Sequence, residues 1–288
     1  MGNQSRLDPF FGSSIIFIIC QALTFLVVSQ VKAFIEANQI AVPQVSTGFA
    51  VLYFLGAVVV MGIILSLIPI SILRLVLKAL FAFLYSWGVF VFLGLYLPVI
   101  AAMLVATALG LIWFFQPRIW LHNLLLIFSL VSLGATLGPL FSPWAVSLLL
   151  GILSIYDLVA VGSGYMIWMV KQMALSETLP AFLIPRRLIS WNMTFKEAGV
   201  TNLLNDEPRH RELSVLGGGD LGLPLVLITS VYFTYGFLSA LIVAVFSFIG
   251  LFFAYFIQIY ILKGKPLPAL PPISLVSFIG FLIALWVI

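Results

Sequence analysis

The chain of 288 residues is 63% apolar and only 8% charged, against roughly 25% charged for a soluble domain. A soluble globule is therefore excluded, and a mean hydropathy of +1.25 with apolar runs of about 20 residues fits one polytopic membrane domain over 1–288. The net charge of +4 gives no reason to expect nucleic acid, because polytopic chains hold Lys and Arg on their cytoplasmic face.

The first apolar run, 10–31, is too long for a signal-peptide core and has no small-residue cleavage pattern behind it, so it reads as a retained span. It contains Cys20, the only cysteine, which leaves no intrachain disulfide and makes thiol catalysis a poor reading. Further runs lie at 48–70, 75–97, 98–115, 120–137, 144–173, 213–235, 237–262 and 272–288, which predicts nine transmembrane helices in an all-α fold. Pro98 and Gly236 are the turning points in two otherwise continuous stretches. One helix from Leu75 to Phe115 would run about 60 Å, twice the hydrocarbon thickness.

Charge tests this count. With nine spans, Arg6, Arg74, Lys78, Arg118, Lys171, Arg186, Arg187, Lys196, Arg209, Arg211, Lys263 and Lys265 share one side, and of the 13 basic residues only Lys32 faces the other. By the positive-inside rule the N-terminus is expected to be cytoplasmic and the C-terminus outside. The sequons at Asn3 and Asn192 fall on the cytoplasmic side and carry no expectation of glycosylation.

Helices one to six occupy 10–173, a cytoplasmic loop 174–212, and helices seven to nine 213–288. Within the loop, 179–189 keeps apolar residues beside Arg186 and Arg187, as a stretch lying in the interface would, whereas 196–212 is polar enough for disorder. No fixed-period repeat occurs.

Of nine acidic residues, only Asp157 and Asp220 sit inside apolar segments. A carboxyl at a helix centre costs about 2.5–3.5 kcal/mol on insertion scales, so each calls for a partner or a wet cavity. Neither span has a Lys or Arg beside its Asp, and the two spans flank one loop, which brings equal depths together. Asp157 lies about 21 Å of helix before Lys171, and Asp220 about 14 Å after Arg211 if that stretch is helical. An extended start through Gly217-Gly218-Gly219 narrows the difference, at about 3.3 Å per residue.

Two carboxyls held close in a low-dielectric pocket do not both ionise cheaply, so one keeps its proton while the other accepts. Such a pair can activate a water against a peptide carbonyl and protonate the leaving nitrogen. Against this stands the simpler reading that each Asp merely bonds a neighbouring helix.

Three motifs bear on the choice. Tyr156-Asp157 in the sixth span, Gly217-Gly218-Gly219-Asp220 opening the seventh and Pro268-Ala269-Leu270 opening the ninth resemble, in that order, the signatures of the presenilin and signal peptide peptidase family of intramembrane aspartyl proteases. Pro271 with Ile273-Ser274 is similar to presenilin, and Pro224 after Asp220 to signal peptide peptidase, as in a microbial, archaeal-type homologue. The loop is short beside animal presenilins, so the resemblance does not extend to presenilin-like loop processing.

The resemblance implies Asp157 and Asp220 as the catalytic pair, transmembrane or signal-peptide helices as substrates, and a prokaryotic cell membrane as location. It implies no metal and no organic cofactor, membrane lipid as surroundings and no evident obligate accessory subunit. Homo-oligomerisation stays open. Tyr156 is either a hydrogen-bonding partner of the pair or of substrate, or ordinary packing. Gly217 and Gly219 either admit a substrate backbone or serve close helix packing. Pro268 and Pro271 are expected to keep the chain non-helical beside the site, with Ala269 and Leu270 lining it. An extended substrate is expected to pair near Leu216 or Leu270.

Gly134 and Gly138 have the spacing of a helix contact. His122, near a helix end, reads as solvated or capping, and Ser163 lacks a His partner. The competing function is a proton-coupled transporter or ion channel using the same buried acids. Transporters of that kind often show paired broken helices in two related halves, whereas here both features cluster in the last third.

Overall fold

The computed structural model describes residues 9–200, 213–262 and 268–287. Among them are ten α-helices: α1 Pro9–Ala37, α2 Thr47–Leu67, α3 Ile70–Leu93, α4 Val99–Phe115, α5 Ile119–Leu137, α6 Pro143–Gly162, α7 Tyr165–Leu175, α8 Gly218–Tyr235, α9 Phe237–Phe256 and α10 Leu270–Val287. Two strands, β1 Ala181–Pro185 and β2 Leu213–Gly217, lie between α7 and α8 in the chain. Residues 201–212 of the polar stretch expected to be disordered, residues 263–267 with Lys263 and Lys265, and the first sequon lie outside the described residues.

Among the described residues, six helical segments are long and apolar enough to cross a membrane, and Val99–Phe115 and Leu270–Trp286 are shorter apolar helices. Large apolar side chains such as Leu52, Phe83, Ile100 and Phe115 point outward, as they do where lipid replaces water as the surrounding medium. Inside, small residues let helices approach. A Cβ on Gly250 would lie 2.7 Å from the Ile273 Cα, so α9 and α10 touch backbone to backbone, and Ser247 and Ser277 bond across that seam at 2.7 Å. Gly134 and Gly138 form the expected contact: their missing side chains make room for Leu225 and Thr229 of α8.

The sixth apolar run is not one helix. α6 ends at Gly162, and Gly164, with φ +76°, turns the chain into α7. That left-handed angle is costly for other residues, so the break is written at a glycine inside an apolar run whose hydropathy does not mark it.

The 179–189 stretch is a larger departure. Its core is strand β1, buried throughout, not an interfacial segment. It pairs antiparallel with β2 in the register Phe182 to Leu216 and Ile184 to Ser214. Of the polar stretch, 196–200 is described and packed: the Val200 N–H returns to the Phe195 carbonyl, and both side chains are buried.

Candidate active site

β2 leads directly into α8, with Gly217 as N-cap and Asp220 as the third helical residue. At that position an acidic side chain can reach back to the N-cap amide and also lies in the favourable field of the helix start. Asp220 does this: its carboxylate accepts from the Gly217 N–H. A side chain on Gly217 would place its Cβ 2.7 Å from Asp220 Oδ2, so glycine is required for the carboxylate to stand where it does. Pro224 follows four residues later inside α8, and having no N–H it leaves the Asp220 carbonyl without its helical partner.

Asp157 lies in the second half of α6 and is 9% exposed. One of its carboxylate oxygens accepts from the Leu270 N–H, while Oδ2 is buried with no hydrogen-bond partner. The Leu270 amide is available for a local reason. It opens α10, where the first N–H groups have no intrahelical acceptor, and the next two residues are Pro271 and Pro272, which carry no N–H. Pro271 is thus part of the first turn of α10 rather than of a non-helical stretch; its ring fits a helix start as well as an irregular one. Pro268 is buried, and Ala269 is half-buried before the helix. One turn before Asp157, Ser154 bonds Ser274 of α10, a second tie between the same helices.

Asp157 and Asp220 line one cavity of about 340 Å³ together with Tyr156, Gly217, Gly219, Ala269 and Leu270, and the two carboxyls are near enough to interact electrostatically. Pro268 does not line it. The Tyr156 hydroxyl is buried without a hydrogen-bond partner, so in this structure it does not bond the acids. A Cβ on Gly219 would meet nothing within 4 Å, which leaves that face of the α8 start open to the cavity. Apolar side chains of α7, Met169, Val170 and Met173, complete the wall.

His122 differs from its expected solvated role: it is fully buried. Its Nε2 lies 3.0 Å from the Ala181 carbonyl and its Nδ1 3.1 Å from the Tyr85 hydroxyl. A carbonyl can only accept, so Nε2 carries the hydrogen and the tyrosine donates to Nδ1. The neighbouring Asn123 bonds β1 as well. Two adjacent polar residues within an apolar span were the signal that β1 needed side-chain partners.

A helical bundle that carries two acids from separate helices into one internal cavity defines a multi-pass integral membrane protein with a paired-carboxyl site. From residue 14 to 288 the chain matches the family described as signal-peptide peptidase, presenilin aspartyl protease. It belongs to that family and is an intramembrane-cleaving aspartyl protease, a hydrolase. Its fold is similar to that of a presenilin family intramembrane aspartate protease solved in two crystal forms. The C222 form matches with TM-score 0.65 and 16% identity over 98% of this chain and 100% of that one. The P2 form matches with TM-score 0.61 and 18% identity over 98% and 99%. No curated protein matches the chain.

Proposed function

We propose that Asp157 and Asp220 are the catalytic dyad, hydrolysing peptide bonds within transmembrane or signal-peptide helices. The observation that carries this reading is their convergence on one cavity from two helices, each carboxylate beside an amide at a helix start. The ionised member takes a proton from water as the water oxygen bonds the carbonyl carbon, and the protonated member gives its proton to the carbonyl oxygen. Collapse of the resulting gem-diol breaks the C–N bond: the carboxyl that took the water proton gives it to the nitrogen, while the other takes a proton from a diol hydroxyl, leaving acid and amine and restoring the dyad. Which Asp starts protonated belongs to the pair rather than to either residue.

A substrate helix hides its peptide groups, so it must unwind to react. β2 offers a template for the extended form. Leu216 is turned toward Phe182 of β1, so the edge available for pairing is that of Val215, which is 43% exposed and lines the cavity, rather than Leu216 itself. A strand added there would run beside Asp220.

Nine crossings follow if α6 with α7 makes the sixth and β2 with α8 the seventh. The basic end is placed in the cytoplasm of a prokaryotic cell by the positive-inside rule; that there is one such end is supported by contacts that gather basic residues. Lys78 and Lys196 both meet Glu177, at 2.7 and 3.3 Å, and Arg118 donates to Asn192 at 3.0 Å.

The test is cleavage of a model transmembrane peptide by the purified chain, read by product mass. Asp157→Asn and Asp220→Asn are each expected to abolish it, and hydroxyl-bearing transition-state mimics to inhibit it. Cleavage surviving in either variant defeats the dyad. Proton-driven solute uptake into liposomes without proteolysis would support the transporter reading instead.

A further inference from the structure

The two-stranded sheet has two outer edges, and only one is open. Gly218 N–H donates to the Pro180 carbonyl and Phe182 and Ile184 face β2 in the register. By the alternation of an antiparallel ladder, Ala181 and Leu183 therefore turn their peptide groups away from β2. No third strand meets them among the described residues. Instead Asn123 of α5 donates from Nδ2 to the Leu183 carbonyl at 2.7 Å and accepts the Leu183 N–H on Oδ1 at 3.0 Å, the pair of bonds a neighbouring strand would make. His122 takes the next outward carbonyl, Ala181, at 3.0 Å. All four residues are buried.

We infer that His122 and Asn123 are positioning residues for proteolysis: they substitute for a strand on β1, leaving the β2 edge beside Asp220 as the one place where an extended substrate can add. This rests on the strand-addition reading above. The same alternation points Leu213, Val215 and Gly217 outward on β2, and the Gly217 amide is already committed to Asp220. Any shift of β1 therefore moves the template and the Asp220 anchor together. Register along that edge decides which peptide bond reaches the acids, so the clamp sets the scissile bond as well as the rate.

The experiment compares the wild-type chain with Asn123→Leu, close in volume but unable to bond, and Asn123→Asp, which keeps the bond from the Leu183 N–H and loses the donor to its carbonyl. Product masses, kcat and KM are measured on a model transmembrane peptide, with amide exchange followed by mass spectrometry. Asn123→Leu is expected to lower kcat by on the order of 10- to 100-fold, as small misplacements at a site do. It should also spread cleavage over neighbouring bonds and speed exchange in 181–185 and 213–217. Asn123→Asp should fall between, and covers the case in which Asn123→Leu does not fold. His122→Gln, which retains an N–H donor, is expected to stay closer to wild type than His122→Phe. Folded variants with an unchanged cleavage pattern and unchanged kcat overturn the inference. A wild-type chain that cuts nothing overturns the proposed function, and exchange in β1 and β2 then decides the clamp alone, with unchanged protection in Asn123→Leu refuting it.

Discussion

Gly217 and Gly219 stand two residues apart yet do different work. The first has no room for a Cβ because the Asp220 carboxylate occupies that space, and the second faces open cavity. Gly217→Ala is therefore expected to displace the carboxylate and cut kcat by about 100-fold in a chain that still folds. Gly219→Ala should leave stability unchanged and act only against substrate, raising KM more than it lowers kcat. Steady-state kinetics beside thermal unfolding separates the two. For the acids, a mechanism needing one protonated and one ionised carboxyl predicts a bell-shaped rate profile against pH; a profile with a single limb argues against shared roles.

Among the elements, α7 is held at both ends by features that hydropathy does not register. At its start stands Gly164. At its finish the Thr178 N–H returns to the Met173 carbonyl and the Glu177 N–H to the Ala174 carbonyl, the two bonds of a Schellman motif. The left-handed position of that motif usually holds glycine, but here Glu177 takes it with φ +55°. Its side chain accounts for the exception by pairing with Lys78 and Lys196. Burial raises the Glu177 carboxyl, but the Lys78 hydrogen bond and charge, helped by Lys196, outweigh it and hold the group below its ordinary 4.5. A carboxyl depressed in the folded state contributes stability that is fully present above its unfolded value and is lost as pH falls through the lower folded value. Glu177→Gln is thus expected to cost about 1–3 kcal/mol at neutral pH, with the difference from wild type closing below pH 4.5. Denaturation measured at both pH values checks this. Glu177→Gly should lose less, because it relieves the backbone as it removes the pair.

For the whole molecule, orientation in the bilayer is the open physical prediction. Cys20 is buried, so it offers little to a water-soluble thiol reagent and the chain is nearly a cysteine-free background. Cysteines placed at the exposed positions Gln39 and Gln116 are expected to label from opposite faces of oriented membranes. Gln116 should label from the face that carries Arg118 and Lys196, the one proposed to be cytoplasmic. Labelling of both from one face would break the nine-span count, since each miscounted helix reverses every later loop.

Much of this was readable in advance because the relevant physics is local. Apolar run length marks the spans, and an acid inside such a run is conspicuous by its cost. The three glycines before Asp220 suggest an extended entry, but only Gly217 is extended, at the end of β2, while Gly218 and Gly219 already belong to α8. The break at Gly164 was hidden because hydropathy runs straight through it, and the strand β1 with its clamp from His122 and Asn123 because these depend on partners far along the chain. A buried strand and a buried helical turn share one apolar composition. Only the arrival of β2 and α5 provides hydrogen bonds for the β1 backbone, and that supply makes the 181–185 segment a strand. The two acids follow the same division: their presence in apolar spans is legible residue by residue, but their meeting in one cavity is a property of how α6, α8 and α10 pack.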